Sequence, residues 1–230
     1  IAILKSGLSV IKDAVIESRK IFARLNSYAV YRISESFRLI FTILILGIIA
    51  RDFPLSPIQL IMLALLNDIP IISLAFNRVE IPAGPAKTDV KKRTISGTLF
   101  GLVGIANSLI LFFLAKNIFH LDWSTIQTLF FLKLSVSGHL LIYVAHTEKR
   151  WFKFLPSKQV IWATTLTQIM ATCFALFGFL MKAVDYKLVI FVWIWALCWM
   201  QVSDAVKQKR IAKHATSQSP QIISPNLQAE

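Results

Sequence analysis

Long apolar blocks separated by short polar stretches organise this chain. They run at about 29–50, 57–76, 95–116, 123–146, 159–181 and 187–204. Each is near the roughly 20 residues needed to cross about 30 Å of hydrocarbon. None shows the strict alternation of a half-buried strand, so the pattern predicts helices surrounded by apolar neighbours or lipid. The predicted fold class is an all-α membrane protein, a six-transmembrane-helix bundle.

Upstream of the first block the pattern changes. Ile11, Ala14, Val15, Phe22 and Leu25 recur at helical spacing, and neither Pro nor Gly intervenes before Gly47. A helix of about 40 residues would measure about 60 Å, twice the hydrocarbon thickness. The expectation is a long cytoplasmic stalk helix continuing into the first span. A separate amphipathic surface helix is the alternative.

The connectors alternate in kind. "RDFPLSP", "NIFHLD" and "KAVDYK" are short, whereas "NRVEIPAGPAKTDVKKRT" and "HTEKRWFKFLPSKQ" are longer and basic. Pro82 and Pro85 prevent the first long connector from forming one helix. The expected division is a stalk at 1–28, a membrane domain at 29–206 and a polar tail at 207–230. The Ser, Gln and Pro of that tail predict no fixed structure.

Composition adds a constraint through placement. The 230 residues are 56% hydrophobic with a formal charge of +13. Nearly all Lys and Arg outside the spans fall on one side. Only Arg51, Lys116, Lys182 and Lys187 fall on the other. The positive-inside rule then puts both termini in the cytoplasm of a multi-pass plasma-membrane protein. The basic excess thus reports topology and contact with anionic lipid, and nothing in it points to nucleic acid. Cys173 and Cys198 fall inside spans and suit packing better than a disulfide framework. The sequence contains no phosphate-binding loop, no metal-ligand spacing and no nucleophile with a histidine partner.

Ionisable residues at membrane depth cost several kcal/mol and are functional candidates. The chain offers Glu35 and Arg38 in the first span, Asp68 in the second, and Lys133 and His139 in the fourth. Asp68 follows Asn67 and precedes Pro70, whose ring opposes the carbonyl of Leu66 and which has no N–H to give. A helix break at Pro70 would free backbone oxygens beside the acid, a recurrent way of building ion sites at midplane. Asp68 could equally be a buried acid that holds helices together. Arg38 could pair structurally with Glu35 one turn earlier. Glu35 is expected near the end of its span and wet. Lys133 and His139 stand as accessory charges or packing counter-ions.

"SVIKDAVIESRKIFARLNSYAVYRISESFRLI" and "LLNDIPIISLAFNRV" together resemble the P-type ATPases, in particular the plasma-membrane proton-pump branch. "FLKLSVSGHLLIYVAHT" resembles the eighth membrane helix of prokaryotic members. The resemblance covers nearly the whole chain and implies the family's carboxy-terminal six membrane helices, preceded by the end of the phosphorylation domain. It implies that Asp68 is the proton acceptor and donor, with Asn67 in the same motif and Arg38 as counter-charge. The family's Asp-Lys-Thr-Gly motif does not occur in these residues. ATP and Mg²⁺ are therefore expected in a full-length protein and not bound by this portion, which by itself is expected to be inactive. Its implied partners are the bilayer, the proton, and amino-terminal helices and cytoplasmic domains of the same pump. A P-type pump for another cation, or a stand-alone channel or secondary transporter, remains the alternative.

Overall fold

A computed structural model describes residues 8–81 and 90–217. Six long helices order the described residues: α1 (Leu8–Ala50), α2 (Pro57–Ser73), α3 (Val90–Phe113), α4 (Trp123–Ala145), α5 (Lys158–Phe177) and α6 (Tyr186–Ser217). All six are long and apolar enough to cross a membrane. Residues 1–7, 82–89 and 218–230, which include Pro82, Pro85 and the end of the predicted tail, lie outside the described residues.

α1 is one helix of 43 residues, about 65 Å long, as the uninterrupted pattern predicts. The polar end of the chain departs from expectation. Residues 207–217 are helical and extend α6 well beyond its apolar part. Ala, Lys, Gln and Arg dominate this stretch, and all are strong helix formers. No Pro or Gly occurs between Tyr186 and Ser217 to stop it. α5 ends where Gly178 takes the left-handed conformation that closes a helix, with its N–H bonded to the Phe174 carbonyl.

α4 is the centre of the bundle and packs against α1, α2, α5 and α6. Every residue from Thr128 to Val136 is buried, which suits a helix that is apolar on all sides. α3 lies along α1 through Gly97, Gly101 and Gly104. A methyl group at Gly97 would meet the Ile33 side chain at 2.7 Å, and one at Gly101 would meet Phe37 Cβ at 2.7 Å. This is the small-residue spacing that lets membrane helices approach closely.

The end of the bundle opposite the short connectors is tied by polar contacts. Arg24 Nε donates to the Asn77 carbonyl at 2.9 Å, and Asn77 Oδ1 accepts from the Ser157 N–H at 3.0 Å. Lys207 reaches from α6 to the Val144 and Thr147 carbonyls at the end of α4 while pairing with Asp204 at 2.8 Å. The stalk part of α1 is thereby joined to the end of α2 and, through Asn77, to the start of α5, while α6 is joined to the end of α4. On the other side, Asp122 caps α4 through the Thr125 N–H and pairs with Lys182. That lysine, with Thr125, holds the Asp122 carboxyl down to about 2.

Candidate functional site

α2 begins with a complete capping box. Ser56 accepts from the Gln59 N–H, the Gln59 side chain returns to the Ser56 N–H, and Pro57 fills the first turn. From there the helix runs without a break through Pro70 to Ser73 and tightens into a 3₁₀ turn at Leu74–Phe76. The break expected at Pro70 is therefore absent. Pro70 lies only three residues from the helix end, so it removes the partner of a single carbonyl, that of Leu66. The ring of His139 lies beside that carbonyl. The Pro70 carbonyl itself accepts from Ser73 Oγ at 2.7 Å.

A regular helix turns about 100° per residue, so neighbours point in different directions. Asn67 is buried against the bundle, whereas Asp68 is exposed on the outward face of α2 with Leu65, Ile69 and Ile72. Asp68 and Arg38 are accordingly not brought together as a pair. Arg38 is engaged by Glu35 instead. Its Nη2 donates to both carboxylate oxygens, at 2.6 and 2.7 Å, and to the Leu134 carbonyl at 2.9 Å, while Nη1 donates to Ser137 Oγ. Glu35 is not the wet residue expected near a span end. Both members of the pair are 3% exposed. Asn67 Nδ2 extends the cluster to α2, donating to Glu35 Oε1 at a long 3.5 Å.

Two glycines make this cluster possible. A methyl group at Gly104 would meet Arg38 Cδ at 2.6 Å, and one at Gly138 would meet Arg38 Nη2 at 2.8 Å and the Glu35 carboxylate at 3.3 Å. The ion pair thus occupies a slot between α3 and α4 that any larger residue would fill.

Lys133 is fully buried and donates to Ser108 Oγ at 2.5 Å. Thr42 Oγ1 donates to the same hydroxyl at 3.1 Å, and Ser108 passes its own proton to the Gly104 carbonyl at 2.8 Å. His139 is likewise buried, with Nδ1 3.4 Å from Thr167 Oγ1 and Nε2 without a partner among the described residues. The six candidate polar side chains therefore divide three ways. Glu35, Arg38 and Asn67 form one cluster, Lys133 and His139 are held separately, and Asp68 faces outward. Gly104, Ser108, Ser137 and Gly138 were not singled out in the sequence. The only signal for them was small residues recurring inside apolar blocks.

The described residues do not fit a magnesium–nucleotide site. Glu80, Asp122 and Asp204 are each tied to a separate lysine at a different place in the fold. No three His, Cys, Asp or Glu side chains gather as metal ligands among the described residues.

A buried ion pair joined to polar side chains on two neighbouring helices, within six helices long and apolar enough to cross a membrane, defines a polytopic membrane domain with a charged centre. No family model matches the chain. A protein of Methanocaldococcus jannaschii, described by its name as a cation-transporting ATPase, is 37% identical over 208 residues, 90% of this chain and 26% of that protein. Plasma membrane ATPase 1 of Saccharomyces cerevisiae is 30% identical over 202 residues, covering 86% of this chain and 22% of its own length. Plasma membrane ATPase 1 of Candida albicans is 29% identical over 201 residues, again 22% of that protein. The chain spans about a quarter of the length of these relatives. The likeness to these ATPases over nearly the whole chain supports a carboxy-terminal membrane part of a P-type ATPase.

Proposed function

We propose that the chain is the ion-translocating half of an ATP-driven, proton-exporting pump, with Asp68 as the proton carrier. The observation that carries this reading is the junction at Asn67. That residue is bonded to the Glu35–Arg38 pair, and the next residue along the helix is the outward carboxylate of Asp68. Movement of α1 or α2 therefore changes the charge environment of Asp68 through one side chain. Arg38 acts as the counter-charge, and Glu35 sets how much of its field reaches α2.

A carboxylate in the middle of a span costs about 2.5–3.5 kcal/mol when it faces lipid. The face of α2 that carries Asp68 is accordingly assigned to contact with further helices of the same polypeptide. Energy would enter from ATP- and Mg²⁺-binding domains beyond this chain and reach the membrane along the stalk of α1. Moving one proton out against 100 mV requires about 2.3 kcal/mol. A single acid suits a single proton, whereas calcium needs 6–8 oxygen ligands.

The ion is tested in vesicles containing the full-length polypeptide. ATP-driven acidification is expected to persist with choline as the only other cation. A requirement for sodium or potassium would transfer the reading to a pump for that ion.

Orientation is part of the same proposal, since the basic loops should face the cytoplasm. Lys91→Cys and Lys116→Cys, each in a background lacking Cys173 and Cys198, should react with an impermeant thiol reagent from opposite sides of sealed vesicles. Labelling of both from one side would contradict the six-span topology.

A further inference from the structure

Both terminal nitrogens of Arg38 are used within its cluster, but Nε is buried and has no acceptor among the described residues. Arg38 also lines a cavity of about 30 Å³, together with Gly104, Asn107, Ser137, Met200 and Ser203. A water needs roughly 10–15 Å³ of such space and two to four polar partners. Space and partners are both present. The Arg38 N–H lacks an acceptor, Ser137 and Ser203 carry hydroxyls, and Asn107 carries an amide whose Oδ1 already accepts from Trp195 at 2.6 Å. The remaining walls are apolar, among them Phe100, Val103, Leu141 and Trp199, and a wholly apolar cavity stays dry even at about 150 Å³, so the polar groups around Arg38 are what decide. A charged donor left without an acceptor in low dielectric is costly enough to draw water in.

We propose that this cavity is a water-binding site, in which one or two ordered waters accept the Arg38 Nε–H and bridge it to α3, α4 and α6. The water keeps the guanidinium hydrated on the side away from Glu35, so the cation remains solvated inside the bundle when the carboxylate shifts. Because Met200 and Ser203 come from α6, that helix forms one wall of the hydration site although it contributes nothing to the ion pair. The site stands on cavity and donor alone, independently of the ion carried and of the role of Asp68.

Hydroxyl-radical footprinting of the full-length polypeptide in nanodiscs tests it, read by peptide mass spectrometry. Methionine is readily oxidised, and the protein supplies an internal pair. Both are buried in apolar clusters, Met200 at 5% and Met62 at 7% exposed, but Met200 lines the cavity and Met62 does not. Radicals formed from confined water should oxidise Met200 several-fold faster than Met62. The double variant Glu35→Gln/Arg38→Leu removes the charged donor without leaving an unpaired charge. In it the Met200 rate should fall to that of Met62. Equal rates in the wild-type protein would overturn the proposal, and so would a Met200 rate unchanged in the double variant, because the oxidation would then report access from bulk solvent.

Discussion

Glu35→Ala should be among the most destabilising single substitutions in the chain, with an expected loss of about 3–5 kcal/mol. The carboxylate receives two charge-assisted bonds from Arg38 and a longer one from Asn67, in a site that is 3% exposed. Removing it leaves a guanidinium buried and unpaired, and a small cavity beside it. The pair itself need not be strongly stabilising, because bringing two charges out of water offsets most of their attraction. Replacing both, as in Glu35→Gln/Arg38→Met, should therefore cost far less than the single change. Arg38→Ala should resemble Glu35→Ala, because it strands the carboxylate in the same way. Steric-trapping measurements of unfolding in bicelles give the three values. Equal losses for the single and double variants would mean that the cluster is held by packing alone, with no charge coupling.

The same cluster shows where sequence reasoning reached and where it stopped. That Glu35 and Arg38 can pair is visible from their spacing of three on a helix. Their depth is not visible, because it depends on Gly104 and Gly138 approaching from two other helices. The continuity of α1 follows from an uninterrupted run of helix-compatible residues, and the structure has that helix. Pro70 shows the converse. The proline signals a break, but its effect depends on how much helix follows it and on what stands near the one carbonyl it strands. Here three residues follow, and a histidine from α4 stands near. Because the helix stays regular, Asn67 turns inward and Asp68 outward, so a motif that is contiguous in sequence is divided between two faces. α6 extends beyond its apolar block for a related reason. Hydropathy marks where a helix leaves lipid, and helix propensity marks where it ends. In the stretch 207–217 the two differ.

The largest functional effect is expected from Asp68→Asn, which should abolish proton movement while the protein still inserts and folds. Asp68 is exposed on α2 and makes no contribution to the packed cluster, so an amide of nearly the same size removes no buried partner. Because the amide keeps the size and the hydrogen-bonding capacity of the acid on a face assigned to further helices, stability should change far less than in Glu35→Ala. Function should not survive, because an amide retains hydrogen bonding but cannot take up and release a proton near neutral pH. This separation of stability from transport distinguishes Asp68 from Glu35, whose removal should damage both. The deciding measurement is ATP-driven acidification of inside-out vesicles by the full-length Asp68→Asn pump, at wild-type protein level and with unfolding unchanged. The account predicts no acidification above the background of vesicles lacking the pump, and acidification at the wild-type rate would contradict it.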